Sequence, residues 1–263
     1  MTQHVQKLEA TLRTSLIARS NAGCTPTPAG AALRPHAENL LRANTRILNA
    51  VQNPAIAIGA SSNIGVYLLQ PYIKSFLAQT EGQYPIDVVI KNNLAIAEKL
   101  DSGELDLAAM EWWDGRSGFS AHPWRQEDLV VIVAPCHPWA QLSAVPPSLL
   151  KEAPLLGGEA ATGTGTLLKQ QFGEQISGLQ TTMQLGSTEA VKQWVKAGLG
   201  VSIVLSSTVV EEIAAGSLRA IPLAGEPIRK PLFVIYRETL HKDSPPMNLA
   251  RRLLGDGSVS LNR

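Results

Sequence analysis

The sequence predicts an α/β protein whose body has two lobes of similar design, preceded by a helical segment of about fifty residues. Three observations support this fold class. From Pro54 onward, short apolar stretches suited to strands alternate with amphipathic helical patterns. The segments Asn93–Gly103 and Thr188–Gly198 each place a glycine ten residues after a polar cap, and each leads into a strand. Before Pro54 the apolar residues follow helical spacing. Two α/β units in tandem imply a cleft between two lobes.

The N-terminal segment is predicted to contain two helices joined by a loop. In the first, Thr2 to Leu16, apolar residues recur three or four positions apart. A polar, glycine-containing loop from Ser20 to Pro26 follows. Thr27 is suited to cap the second helix, and Pro28 is suited to its first position.

The second helix carries a heptad pattern of apolar residues, which predicts a seam against a partner helix. An Asn at a single a position fixes register and favours paired helices. The alternative is an amphipathic helix that lies on its own domain, with the Asn at the edge. The a positions of the predicted dimer seam are Ala37, Asn44 and Val51, and the d positions are Leu33, Leu40 and Ile47.

The body is predicted to alternate strands with helices, and two glycines are predicted to end helices in a left-handed conformation, Gly103 and Gly198. The predicted strands cover residues 55–60, 86–90, 105–110, 129–134 and 201–205. The predicted helices cover residues 64–78, 94–100 and 189–196, with another beginning near Thr166.

Composition excludes several classes of protein. The 263 residues carry a net charge of +1 and are 44% hydrophobic and 17% charged, which is ordinary for a soluble globular protein and unlike a disordered or collagen-like chain. Apolar runs are too short for a membrane helix, and no signal peptide is evident, so we expect a cytoplasmic protein with no membrane partner. Cys24 and Cys136 are expected to be free thiols. The five His are scattered, so no metal site or cofactor is expected.

Charge is distributed unevenly along the chain. Residues 1–50 hold six Lys or Arg against two Glu, a net charge of +4, which leaves −3 for the remainder of this +1 chain. A basic N-terminal segment is typical of an end that faces nucleic acid. A solvated helix face with no partner would give the same count.

Two loops that precede predicted helices are candidate ligand sites. The loop Gly59–Asn63 includes Ser61 and Ser62, and the loop Ala161–Thr166 includes Thr162, Gly163 and Thr164. Glycine lets the backbone approach a ligand, and N–H groups at a helix start attract anions. Each loop could equally be a plain turn with a capping side chain. The P-loop and dinucleotide-binding glycine patterns are both absent from the sequence.

A catalytic set is not evident, so the sequence does not favour an enzyme. Cys136 and His137 are neighbours whose side chains would point apart, and Pro138 favours a turn after them. Carboxylates such as Glu111 and Asp114 have no visible partner for acid–base work. A nucleophile with its base and orienting group is likewise not evident.

An ordered set of motifs along the whole chain resembles the LysR-type transcriptional regulators. Each motif is weak alone, but the set in this order is specific. In the N-terminal segment the motifs are Val5–Leu12, Leu16–Arg19 and Thr25–Gly30. In the body they are Gly59–Ser61, Leu105–Ala108, His137–Pro138, Gly163–Thr166, Gly186–Ala190 and Ala197–Val201.

The resemblance implies a bilobed effector domain like the periplasmic binding proteins, made of two Rossmann-like lobes. It also implies a partial winged helix-turn-helix over residues 1–27 and a dimerising linker helix over residues 28–52. Lobe I would comprise residues 54–133 and 234–263, and lobe II residues 134–233. Homodimers that pair into homotetramers would follow from the same family.

The same resemblance suggests how the sites work. A small anionic metabolite would bind between the lobes, with Met110 and Glu111 at the floor and donors on both sides. The effector-binding candidates are Ser61, Ser62, Asn63, Glu111, Thr162, Gly163 and Thr164. The DNA-binding candidates are Thr2, Gln3 and His4, which would face base edges, and Lys7 and Arg19, which would contact phosphates.

One departure from the family pattern concerns the N-terminal segment. Family members carry two helices before the recognition helix, and Met1 falls inside that helix here. We therefore expect operator DNA as a partner once those helices are restored, because they hold the recognition helix in the groove. The alternative function is a metabolite-binding module without DNA-binding activity, either a truncated regulator or a solute-binding protein.

Overall fold

The computed structural model describes residues 2–20, 23–52, 55–158 and 163–255. For residues 2, 19, 20, 39, 42, 43 and 45–52 it describes the backbone alone. The chain divides into two compact units, residues 1–54 and residues 55–263.

The first unit consists of a helix, a β-hairpin and a long helix. The first helix was predicted to extend to Leu16, but in the structure it ends at Leu12, and Arg13 has a left-handed φ of 51°. The Glu9 carboxylate then accepts hydrogen bonds from the backbone N–H groups of Leu16 and Ile17, at 2.7 and 3.1 Å, and turns the chain into the hairpin. The bounds are α1 Thr2–Leu12, β1 Ile17–Ser20, β2 Gly23–Pro26 and α2 Pro28–Gln52.

Thr27 caps the long helix, as predicted. Its hydroxyl accepts a hydrogen bond from the N–H of Gly30 at 3.1 Å and donates to the carbonyl of Ser15 at 2.7 Å. Gly30 is required here for space, since a Cβ on it would lie 2.0 Å from the Leu16 carbonyl oxygen. One capping residue and one glycine therefore join the hairpin to α2.

The predicted seam lies on α2, which contains Pro35 in its interior. Leu33 and Ala37 are half-buried within the unit, whereas Leu40 is 73% exposed and Asn44 is also exposed. The side chains of Ile47 and Val51 lie outside the described residues. Self-pairing through this seam stays a prediction.

The second unit is an α/β body built on a seven-stranded sheet. Its strands and helices are β3 Ile56–Ser61, α3 Ser62–Tyr67, α4 Gln70–Gln79, β4 Ile86–Lys91, α5 Asn93–Asp101, β5 Leu107–Met110, β6 Phe119–Val133, β7 Leu156–Gly157, α6 Thr164–Phe172, β8 Met183–Gln184, α7 Thr188–Lys196, β9 Ser202–Leu205, α8 Val210–Ala214, β10 Arg219–Pro222, β11 Arg229–Arg237 and α9 Pro245–Leu254.

Two long antiparallel strands, β6 and β11, connect the two lobes. The parallel strands β4, β3 and β5 continue through β11 into the first part of β6. The last part of β6 pairs with β9 and β10. Leu129, Val131 and Val133 pack in a core cluster with α6, whereas Leu232 and Val234 pack in a cluster with β3 and α9. The lobe boundaries stay a prediction. The two clusters indicate that β6 passes from the first lobe into the second near residue 128.

One predicted helix differs from the structure, whereas two predicted glycine conformations are confirmed. The single helix predicted over 64–78 is two helices, because Pro71 has no N–H to donate and the chain turns at buried Leu68 and Leu69. Gly103 and Gly198 are left-handed, as predicted, with φ of 74° and 76°.

The caps of the two repeated helices and two strand bounds also differ from the prediction. Asn92 and Ser187 cap the helices, each one residue before the predicted position. The strand predicted over 105–110 begins at Leu107, and the strand predicted over 129–134 is the end of the longer β6.

Candidate functional site

A cavity of about 480 Å³ lies where β3 and β5 end and where α6 and α7 begin. The ends of parallel strands in open α/β sheets are the usual place for a ligand. The lining residues come mostly from the second lobe, with Asn63 and Glu111 from the first. They are Asn63, Glu111, Leu155, Leu156, Gly157, Gly158, Gly163, Thr164, Gly165, Thr166, Leu168, Lys169, Ile176, Leu179, Thr181, Gln184, Thr188, Val191, Ser202, Ile203, Val204 and Leu205.

Asn63 connects the two lobes at one side of this cavity. It lies on α3, directly after the end of β3. Its Nδ2 donates to Oε1 of Glu111 at 2.9 Å, and its Oδ1 accepts from the hydroxyl of Thr188 at 2.7 Å. Thr188 is the first residue of α7, so the side-chain amide of Asn63 spans from β5 to a helix of the other lobe.

Glu111 and Lys230 form a buried ion pair at the inner end of the cavity. Their side chains are 4% and 2% exposed, and the Lys230 ammonium donates to Oε2 of Glu111. The Lys230 ammonium also lies 3.5 Å from the hydroxyl of Thr164, the first residue of α6. The backbone N–H of Glu111 donates to Oδ1 of Asn93 at 3.2 Å. Partners on three elements therefore fix Glu111.

These contacts form a continuous polar chain from Thr188 through Asn63, Glu111 and Lys230 to Thr164. It begins and ends at the N-termini of two helices in the second lobe. Between them it passes through α3, the end of β5 and the connecting strand β11. A group that binds here meets residues of both lobes, and Lys230 of a connecting strand lies behind Glu111.

The N-terminus of α6 is suited to hold an anion. Gly163 precedes it with a left-handed φ of 80°, and no side chain of this residue can cap the helix. The hydroxyl-bearing residues Thr164 and Thr166 and the exposed Lys169 line the cavity along α6. The N–H groups of a first helical turn and the helix dipole favour negative charge at such an end.

A second polar contact between the lobes lies beside Asn63. The hydroxyl of Tyr67 on α3 donates to Oε2 of Glu189 on α7 at 2.9 Å. Lys192, which is 5% exposed, pairs with Glu189 at 2.8 Å and with Glu212 at 2.9 Å, and its ammonium lies 4.8 Å from the centre of the Tyr67 ring.

The charges in this cluster shift one another's pKa values. The hydrogen bond from Lys192 lowers the pKa of Glu189. Burial raises the pKa of Glu212, but the hydrogen bond from Lys192 outweighs burial. Burial also lowers the pKa of Lys192, but its hydrogen bonds to Glu189 and Glu212 outweigh burial. The pKa of Glu212 is therefore lowered and that of Lys192 is raised, so all three groups are charged at neutral pH.

The sequence model of the LysR substrate binding domain matches residues 49–257 of this chain. The chain belongs to the LysR family of transcriptional regulators. The match covers residues 55–257 of the body, which include every residue named as lining the cavity.

Relatives and solved structures agree with this family and fold. The putative HTH-type transcriptional regulator PtxE of Stutzerimonas stutzeri is 41% identical over 164 residues, which are 62% of this chain and 84% of that protein. A variant of full-length OxyR from Pseudomonas aeruginosa superimposes with a TM-score of 0.68 at 23% identity, covering 97% of this chain and 83% of that one. The regulatory domain of CcmR from Synechocystis PCC6803, in complex with 2-PG, gives a TM-score of 0.68 at 20% identity, covering 79% and 98%.

Within this LysR-type body, four of the seven predicted effector residues line the cavity. Asn63, Glu111, Gly163 and Thr164 line it. Ser61 is buried at the end of β3, and its hydroxyl has no hydrogen-bond partner among the described residues. Ser62 is half-buried at the start of α3, and Thr162 lies outside the described residues.

Met110 does not form the floor of the cavity, contrary to the prediction. Its side chain is fully buried in a core cluster with Ile96 and Phe119. On a strand, successive side chains point to opposite faces, so Met110 faces the core and Glu111 faces the cavity.

Most residues of the cavity region were not predicted as site residues, and three of the polar ones show why. Thr188 lies in the motif Gly186–Ala190, which the family resemblance includes without a role in the site. Lys169 lies too far along its helix for the phosphate-binding loop pattern. Lys230 has no local motif, since its partner Glu111 is 119 residues away in sequence.

The other candidate groups have ordinary positions in the described part of the chain. His137 accepts a hydrogen bond through Nδ1 from the Trp139 N–H at 3.2 Å, and this bond stabilises a turn. Burial lowers the pKa of His137. Cys24 and Cys136 are exposed thiols. Gln3, His4 and Lys7 are exposed on α1, while the side chains of Thr2 and Arg19 lie outside the described residues.

Metal clusters and membrane-spanning helices do not occur in the described part of the chain. Groups of three or more His, Cys, Asp or Glu suited to hold a metal are absent from residues 2–20, 23–52, 55–158 and 163–255. Nor does any helix within the same ranges have the length and apolar character needed to cross a membrane.

Proposed function

We propose that this LysR-type regulator binds a small anionic metabolite in the cavity between its lobes and that binding alters its interaction with operator DNA. The observation that carries the proposal is the polar chain that crosses the cavity. It brings Asn63 and Glu111 of one lobe beside Thr164 and Thr188 of the other. The proposal is of a cytoplasmic regulator and not of an enzyme.

The anionic character of the metabolite is supported by the groups along α6. Its N-terminal N–H groups, the hydroxyls of Thr164 and Thr166, and the Lys169 ammonium are all donors beside one cavity. Ser61 offers a further buried hydroxyl without a partner among the described residues. Thr162 and Ser62 are proposed to extend the two donor loops. The CcmR regulatory domain, with the same fold, is in complex with 2-PG.

Coupling from the cavity to DNA would work through lobe movement. A ligand that contacts Asn63 and Thr164 binds one arrangement of the lobes better than another, and its differential affinity shifts the population. The two connecting strands β6 and β11 are the path for this movement, because Lys230 lies on β11 and contacts both sides of the cavity.

Operator DNA is the proposed partner of the N-terminal unit once the two helices that precede the recognition helix in the family are restored. Gln3 and His4, with Thr2, would reach base edges, and Lys7 and Arg19 would contact phosphates. Pairing of α2 helices through the heptad seam would give the homodimer, and further association the homotetramer.

The proposal is tested on the chain with the two preceding helices of the family restored, by gel-shift selection of fragments from the host genome and then by titration with small acids. We expect a selected fragment to bind with an affinity that falls steeply with salt, because phosphate contacts release counterions. We expect an acid that stabilises the chain to change that affinity by at least about fivefold. Thr164→Val should lose this response, whereas Thr239→Val, which removes an exposed hydroxyl outside the cavity lining, should retain it.

Two results would contradict the proposal in different ways. An acid that binds the chain without changing its affinity for any DNA fragment would favour a metabolite-binding module. A chain that selects DNA but responds to no acid would contradict the assigned cavity.

A further inference from the structure

The carboxylate of Glu111 favours a ligand that carries a hydrogen-bond donor in addition to a negative charge. Glu111 lines the cavity, whereas Lys230 is not among the described residues that line it. The ammonium is 2% exposed and lies against the carboxylate. The ligand therefore meets the carboxylate first, with the cation behind it.

The ion pair leaves this end of the cavity without net charge but with hydrogen-bond acceptors. The two oxygens of Glu111 each accept one bond, Oε1 from Asn63 and Oε2 from Lys230. A carboxylate offers about four lone-pair sites, so capacity for further donors remains. The Asn63 amide is engaged through both of its polar atoms, since Nδ2 donates to Glu111 and Oδ1 accepts from Thr188.

An ionised acid group placed against Glu111 meets the carboxylate before the Lys230 cation behind it, and it has no hydrogen to donate to this acceptor. The favourable place for the acid is along α6, where the helix N-terminus and Lys169 lie. Because Thr164 begins α6 and lies 3.5 Å from Lys230, the two positions are neighbours within one cavity. One small molecule can reach both.

We infer that the effector is a small acid that also carries a hydroxyl or amino group, and that this group donates a hydrogen bond to Glu111. The acid group lies at α6. The inference rests on the proposed function and narrows its ligand from any small anion to a hydroxy or amino acid. A donor-free acid leaves the remaining lone pairs of Glu111 unused and places an apolar group against a desolvated carboxylate, so we expect it to bind less tightly.

The test uses the full chain and matched pairs of acids that differ by one donor group. The pairs are L-lactate and propionate, L-malate and succinate, and L-aspartate and succinate, measured by thermal shift and then by calorimetry. For at least one pair, the hydroxy or amino acid should bind at least about tenfold more tightly than its donor-free partner.

Two variants separate the roles of the two positions. Glu111→Met combined with Lys230→Met removes the acceptor and leaves no buried charge unpaired, and it should reduce the ratio of the two dissociation constants to about one. Lys169→Met changes an exposed side chain on α6. It should weaken the binding of both acids of a pair and leave the ratio of their dissociation constants unchanged.

The outcomes distinguish this inference from the proposed function. If donor-free acids bind as tightly as their partners, the inference is wrong and the anion-binding cavity stands. If neither kind of acid stabilises the chain, both are wrong. The wild-type ratio decides the question even if the double variant does not fold.

Discussion

The hydroxyl of Thr188 donates a hydrogen bond of 2.7 Å to Oδ1 of Asn63, which lies 125 residues earlier in the chain. The bond joins the first residue of α7 in one lobe to α3 in the other. It is direct, so the described structure has its lobes in contact beside the cavity. Stability and ligand binding should both depend on it.

Thr188→Val should destabilise the chain, because the nearly isosteric side chain removes the donor and leaves a partly buried amide oxygen without its partner. We expect a loss of about 1 kcal/mol in the free energy of unfolding, measured in urea. Thr239→Val is the control, since it removes an exposed hydroxyl elsewhere. Equal unfolding midpoints for both variants and the wild type would contradict the role of this bond.

Glu212 should make stability depend on acid pH. Burial raises its pKa, but the hydrogen bond and charge of Lys192 outweigh burial and leave the pKa lowered in the folded state. A lowered carboxyl pKa contributes stability above the ordinary value of about 4.3, and this contribution is lost as the pH falls through the folded value.

Glu212→Gln should therefore lower the free energy of unfolding by about 3 kcal/mol at pH 7, because it breaks a buried ion pair. The difference from the wild type should persist to about pH 5 and narrow below about pH 4. Glu174→Gln, at an exposed carboxyl, is the control. A difference that stays constant down to about pH 3 would rule out the ion pair as its source.

Gly30→Ala should loosen the N-terminal unit. The added Cβ would lie 2.0 Å from the Leu16 carbonyl oxygen, which also accepts the Thr27 N–H at 3.0 Å. We expect a local cost of about 1–3 kcal/mol, seen as faster amide exchange at Thr27 and in the hairpin. Ala32→Ser, at an exposed position on α2, should exchange like the wild type. Unchanged exchange in Gly30→Ala would mean that the hairpin can shift freely.

Leu40→Glu should weaken self-association if α2 pairs through the predicted seam. Leu40 is 73% exposed within the first unit, and a charge at a d position faces the partner's apolar side chains. We expect the dissociation constant of the dimer to rise at least about tenfold, measured by light scattering and sedimentation. Leu41→Glu, at a neighbouring position that is 69% exposed and off the seam, should have a smaller effect. Equal effects of both variants would exclude this register.

Features with a local cause could be predicted from the sequence. Thr27 caps α2 because its hydroxyl reaches an N–H three residues on, and Gly103 and Gly198 end helices because glycine tolerates a left-handed backbone. The donor loops at Asn63 and Thr164 were found because a strand followed by polar residues and a helix is a local pattern.

Features that depend on long-range contacts could not be predicted in this way. Lys230 resembles any strand lysine until the fold brings Glu111 against it, and Thr188 resembles an ordinary helix-start residue until Asn63 lies opposite. The error at Met110 was one of strand alternation, since the residue next to a site residue on a strand faces the other way.

Calorimetry on the cavity tests the central claim most directly. The acid that most raises the melting temperature of the wild-type chain is titrated into the wild type, Ser61→Ala and Thr164→Val. We predict that each substitution weakens binding at least about fivefold, because Thr164→Val removes a hydroxyl that lines the cavity and Ser61→Ala removes the buried hydroxyl proposed as a further donor. Wild-type affinity in both variants would contradict the claim that the effector binds between Asn63 and the start of α6.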